Sequence, residues 1–310
     1  MIRQLLFIAT TVIAVAQPPT PRMSVPQLGY VFDESSKAIR LISGVPGAAS
    51  LDSLIPTTLS LDSGFVHSRS RIALANTKEG SVVLIQWYAT PQAVTLATSL
   101  GHLKQVAFSL GGDRAAITDG ASVEVWSGLT TDPVVNAAFT PEGGVTALAI
   151  NQSGLVASGT GAGTVVLFSD QTQQIAAGGK WTSLAFLPNG ADLLATDSGA
   201  QNLILIRNVQ TDAAASVVLS LNQPAEALSV SADGTTAALS SPGTLTFVNL
   251  KSGQMQAISC GCRTARFDRL EGNLVLYMTD SQSGSQWLLD ADGAQPRVMS
   301  LFSVNGVSAQ

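Results

Sequence analysis

Residues 184–208 read LAFLPNGADLLATDSGAQNLILIRN, and their pattern decides the fold. Alternating apolar residues lead into Pro188-Asn189-Gly190, LLATD (193–197) follows, and after a second Gly-containing turn the stretch ends in LILIRN (203–208). Short apolar runs parted by Gly-containing turns are the mark of consecutive antiparallel strands joined as hairpins. Ile206 is the last large apolar residue of the final strand and serves as an anchor for finding copies elsewhere.

The copies are AIRLIS, VVLIQ, VEVWS, VVLFSD, LTFVN and WLLD, anchored on Ile42, Ile85, Trp126, Phe168, Val248 and Leu289. With Ile206 in place, the anchors follow one another at an even step, close to forty positions each time. A second element stands about half a step before each of the last five anchors: VAFSLGG, LAINQSG, LAFLPNG, LSVSADG and ARFDRLEG. The third residues of these elements are Phe108, Ile150, Phe186, Val230 and Phe267. A third strand rich in small residues follows each turn, as in AAITD and AALSS, and a more variable fourth follows the anchor strand, as in AVTLATSL and MQAISC.

Four strands per unit of about forty residues is the period of a propeller blade. A single four-stranded sheet cannot bury both faces, whereas blades stacked around an axis bury them and closure of the ring protects the ends. The expected fold is therefore all-β, a seven-bladed β-propeller of four-stranded antiparallel blades, with the seven anchors equivalent. A β-helix and an outer-membrane barrel are the alternatives; a barrel calls for longer strands and aromatic girdles, and aromatics are only 5% here. The first unit, GYVFDESSKAIRLIS, is abbreviated, and its innermost strand is expected from residues 23–28 or from the tail LFSVNGVSAQ.

The turns Ser231-Ala232-Asp233-Gly234, Pro188-Asn189-Gly190 and Pro141-Glu142-Gly143 resemble the Pro-Asp-Gly hairpins of WD40, YVTN and TolB-type propellers. Trp126-Ser127 stands where a WD40 repeat carries Trp-Asp, and Gly101-His102 where it carries Gly-His. The resemblance covers residues 28–305 at the level of the repeat period. No unit carries the full motif set, so it implies a fold and no activity.

The first residues, MIRQLLFIATTVIAVAQ, combine Arg3, an apolar run and Ala14-Val15-Ala16. That is the layout of a signal peptide, residues 1–16, cleaved before Gln17, with no cysteine at the cut to carry a lipid. Residues 17–27 hold four prolines and read as an extended linker. Residues 28–310 form one domain, with no membrane span after cleavage. The expected address is periplasmic or extracellular, as for a secreted bacterial protein. Charged residues are only 12% and the net charge is −5. Without a basic cluster, nucleic acid is excluded as a partner.

Chemistry is sparse. His67 and His102 lie in different units, neither at metal-ligand spacing, and read as rim or hairpin histidines. Gly159-Thr160-Gly161-Ala162-Gly163 precedes a strand rather than a helix, so it is a hairpin and not a phosphate loop. The turn at 231–236 lacks the spacing and the aromatic of a sialidase Asp-box. Asp290 and Asp292 are too few oxygens for calcium. No metal or cofactor is expected.

Cys260-Gly261-Cys262 are the only cysteines of the chain with their spacer. In an oxidising compartment the pair is expected as a disulfide, with a redox role, metal binding or free thiols as the other readings. Of the innermost strands only ARFDRL offers charge, making Arg266, Asp268 and Arg269 the candidate polar groups of the central channel. The expected function is a monomeric, non-catalytic binding or scaffold module for a protein or glycan. A lactonase- or glycosidase-like hydrolase and an envelope structural protein without a ligand are the alternatives.

Overall fold

A computed structural model describes residues 25–303 apart from 265, 281 and 294. The expected signal peptide, most of the expected Pro-rich linker and the tail beyond 303 lie outside the described residues. Among the described residues all regular structure is β, arranged as seven sheets. Blades 2 to 7 are four-stranded antiparallel meanders in chain order, inner to outer. Blade 2 runs Leu61–His67, Ile72–Thr77, Val82–Gln86 and Gln92–Thr95; blade 5 runs Trp181–Phe186, Leu193–Asp197, Asn202–Arg207 and Ala214–Ser220.

All seven anchors lie on the strand of their blade that pairs with the near-fully buried second strand. Each packs on the preceding blade. Trp126 meets Ile72 and Leu74 of blade 2, Phe168 meets Ala116 and Val125 of blade 3, and Ile206 meets Ala157 and Val165 of blade 4. Ile42 meets Tyr277 and Leu288 of blade 7 and so closes the ring. The core is thus seven separate apolar seams, one per pair of neighbours, and not one central mass. The channel at the axis is what remains between the inner strands.

Blade 1 departs from the plan. Its strands are Gln27–Asp33, Ala38–Ser43 and Ser50–Leu54, with Phe302–Ser303 added in parallel outside the last. The strand Gln27–Asp33 corresponds to the second strand of other blades. Leu28 O accepts from Glu271 N in the inner hairpin of blade 7, and Tyr30 N donates to Ser68 in that of blade 2. Among the described residues no strand lies inside it. Of the residues expected to supply an innermost strand, Gln27 and Leu28 belong to the second strand and Phe302–Ser303 joins the outer edge, while 23–24 and 304–310 lie outside the described residues.

Side chains fill the vacated place. Phe32 is buried against Gly64 of the blade 2 inner strand, so closely that a Cβ on Gly64 would come within 2.5 Å of the ring. From the other side Arg266 donates to Gly64 O at 3.2 Å and lies 4.8 Å from the Phe65 ring centroid.

Inner and second strands are joined by tight hairpins on one rim. In five of them a glycine takes a positive φ: Gly112, Gly154, Gly190, Gly234 and Gly272 at +73°, +95°, +70°, +72° and +124°. These hairpins bond to one another, as in Ser70 Oγ to Gly111 O at 2.7 Å, Asn151 Nδ2 to Gly190 O at 2.9 Å and Ala232 N to Asn273 O at 2.8 Å. Pro188-Asn189-Gly190 and Ser231–Gly234 are such hairpins, as the sequence implies. Pro141-Glu142-Gly143 is not. It lies between the outer strand of blade 3 (Val134–Phe139) and the inner strand of blade 4 (Val145–Ile150), because its turn links two sheets instead of two strands of one. The run Gly159 to Gly163 is the turn between Val156–Thr160 and Thr164–Phe168, closed by Gly163 N to Thr160 O at 3.0 Å.

Candidate functional site

The inner strands enclose an axial channel of about 450 Å³. A large residue from each forms a collar inside it: His67, Phe108, Ile150, Phe186, Val230 and Phe267. Five of these are the third residues of the repeated elements. The sixth, His67, stands as far before Ile85 as Phe108 stands before Trp126. Its strand is hard to read because SRSR, not a glycine turn, follows it; Arg71 itself takes the left-handed φ of +47°. Counting back from Ile85 by that shared interval is the signal that finds it.

His67 is therefore a channel residue as well as a hairpin one. Its ring centroid stands 5.5 Å from that of Phe108, and Nδ1 accepts from Ser70 N at 3.3 Å. Burial in this apolar collar, together with the nearby charges of Arg269 and Arg69, lowers its pKa to about 4. His102 sits at the opposite mouth, 3.3 Å from Asn76 Nδ2.

Of the three charged candidates, Arg266 and Arg269 line the channel. Asp268 is buried behind Arg266, which grips it with Nε on Oδ1 and Nη2 on Oδ2, both at 3.0 Å. Burial raises the Asp268 pKa, and the Arg266 charge opposes that rise. Arg269 points the other way, toward the hairpin rim. Its Nη2 donates to Asn273 O at 2.8 Å, and burial lowers its pKa.

The two mouths differ. The hairpin mouth, about 430 Å³, is lined by His67, Arg69, Leu110, Arg269 and Glu271 among others. The opposite mouth, about 650 Å³, carries Glu34, His102, Lys104 and a set of hydroxyls that includes Ser63, Thr182 and Thr264.

Cys260 and Cys262 line neither mouth and lie on the connection from the outer strand of blade 6 to blade 7. Their Cα atoms are 5.1 Å apart and their sulfurs form a disulfide-like pair. Backbone bonds Cys260 N to Gly243 O and Gly243 N to Cys262 O hold this loop to blade 6. Asp292 accepts from Asn273 N at 2.9 Å and from Leu274 N, a structural use of its carboxylate. Among the described residues no three His, Cys, Asp or Glu side chains are placed to share a metal ion, and no helix is long and apolar enough to cross a membrane.

Neither a family model nor a curated protein matches this sequence. Among solved structures the chain is similar to the beta-propeller domain of Cps50 (Swd1) from Myceliophteria thermophila. The TM-score is 0.60 at 11% identity, over 79% of this chain and 88% of that one. At that identity the likeness is one of fold alone, and it agrees with the seven sheets above: the chain has a seven-bladed β-propeller fold.

Proposed function

We propose that this propeller is a secreted, monomeric binding or scaffold module that engages a protein or glycan through one rim and performs no reaction in its channel. One observation carries the reading: the channel's carboxylate is already spent. Asp268 is buried and held on two bonds by Arg266, and Arg266 also holds Gly64 and covers Phe65. A general acid or base must reach the substrate proton. This pair instead closes the seam left by the missing strand, and the rest of the collar is apolar but for His67.

The test uses the mature protein against a glycan panel, against partners cross-linked to it in intact cells, and against lactone and glycoside substrates. The expected result is retention of a defined glycan or protein that rim substitutions abolish, with no turnover. Turnover of a lactone or glycoside that Asp268→Asn removes would overturn the reading in favour of a hydrolase.

A further inference from the structure

Arg269 is a part-buried guanidinium with one hydrogen bond from Nη2, to a carbonyl. Among the described residues no carboxylate lies within 4.0 Å of it. A charge withdrawn from water is costly unless paired. The carboxylates that act on it through space, Asp233 and Asp292, are occupied elsewhere. Asp233 accepts from Ser231, Thr235 and Asn273, and Asp292 from two backbone N–H groups.

Arg269 and His67 line both the hairpin mouth and the channel below it, whereas Arg69 and Glu271 line the mouth alone. The arginines are therefore stacked in depth, one on the floor and one at the rim. Arg69 is close enough to disfavour the charge of Arg269. Glu271 is exposed on the rim, above the floor. Leu110 and Ala232 complete the wall, and Leu110 is 40% exposed.

We propose that the hairpin mouth is an anion seat: a carboxylate or phosphate group enters between Arg69 and Arg269 and takes the free donors of Arg269, with His67 beside it. The shared chemistry is an oxyanion that a guanidinium fork binds on two bonds. Leu110 offers apolar contact to whatever carries the oxyanion, so an acidic side chain of a partner is the better fit than a free ion. This deepens the binding-module reading and rests on it.

The two histidines make the experiment self-controlled, since they sit at opposite mouths. The His67 and His102 ring signals are followed by NMR at pH 6 and constant ionic strength, with inorganic phosphate in one arm and a Glu-containing hexapeptide in another. Sodium chloride is the blank. The expected result is saturable movement of His67 alone, with the peptide binding more tightly than phosphate. Arg269→Gln should weaken binding about tenfold or more, as for loss of a charged hydrogen bond, and the exposed Arg69→Gln by a smaller factor. The second variant keeps the test open if the first fails to fold.

Phosphate binding with no peptide binding supports the seat and assigns it to small anions. Movement of neither histidine beyond the blank, or movement of His67 that survives both substitutions, overturns the proposal. Peptide binding that moves His102 instead overturns the seat while leaving the binding-module reading intact.

Discussion

At the scale of single residues the anchors carry the largest consequences. Trp126 is 2% exposed, and Phe168 is stacked on Phe139 with ring centroids 4.4 Å apart. Truncating either to Ala should destabilise by about 3–5 kcal/mol in denaturant titration, the loss expected for a large buried aromatic. His67 gives a pH-dependent counterpart. The folded protein keeps its ring neutral down to about pH 4, while the unfolded chain takes up the proton near 6.5. Its contribution is fully present above 6.5 and is lost as pH falls toward 4, by up to about 3 kcal/mol. His67→Phe, which copies Phe108 and Phe186, should flatten the stability profile in that window; an unchanged profile would rule out the buried neutral ring. For Cys260 and Cys262, thiol titration of exported protein without reductant should find no free sulfhydryl. Replacing both by Ser should cost little, because so short a loop constrains the unfolded chain weakly.

At the scale of strands and blades, much is legible in the sequence and the reasons are specific. The anchor strands announce themselves because each must end in a large side chain that fills a seam, so Ile42 through Leu289 repeat whatever the turns do. Inner strands are legible only where a glycine turn follows, which is why LAFLPNG stands out and LDSGFVH does not. The missing strand of blade 1 is legible as an abbreviation. Its replacement is not, since Phe32 and Arg266 meet at Gly64 from the first and the last blade of the ring. Arg266 and Arg269 are legible as charge in an apolar repeat, while which neighbour each one bonds, Asp268 or the Asn273 carbonyl, and hence which way it points, is set by the folded geometry. Gly64→Ala tests the substitution of side chain for strand: the added methyl has no room against Phe32, and a loss of about 1–3 kcal/mol is expected from overpacking. A neutral result would mean that Phe32 moves freely in its place.

For the whole molecule, stability depends on ring closure. Leu301 is buried in the seam between blades 7 and 1, and Phe302–Ser303 pairs with Ser50–Leu51 just beyond it. Ending the chain at Ser300 removes both and should lower the melting temperature by several degrees, since one buried leucine contributes about 1.5–3 kcal/mol. An unchanged melting point would show that the ring closes without this latch. Export is a separate question at this scale: the intact mass of secreted protein should correspond to a start at Gln17, with Met1 to Ala16 lost.

That no described strand lies inside Gln27–Asp33 bears also on symmetry. Seven equal blades would present a ligand on the axis with seven equivalent azimuths, and it could bind in any of them. Among the described residues six inner strands surround an axis served by seven blades, and the irregular sector is the one flanked by His67, Arg266 and Arg269. Rotation about the axis no longer maps the channel onto itself, so an axial ligand meets one orientation that differs in energy from all others. A ligand seated at the hairpin mouth would then have a preferred heading about the axis.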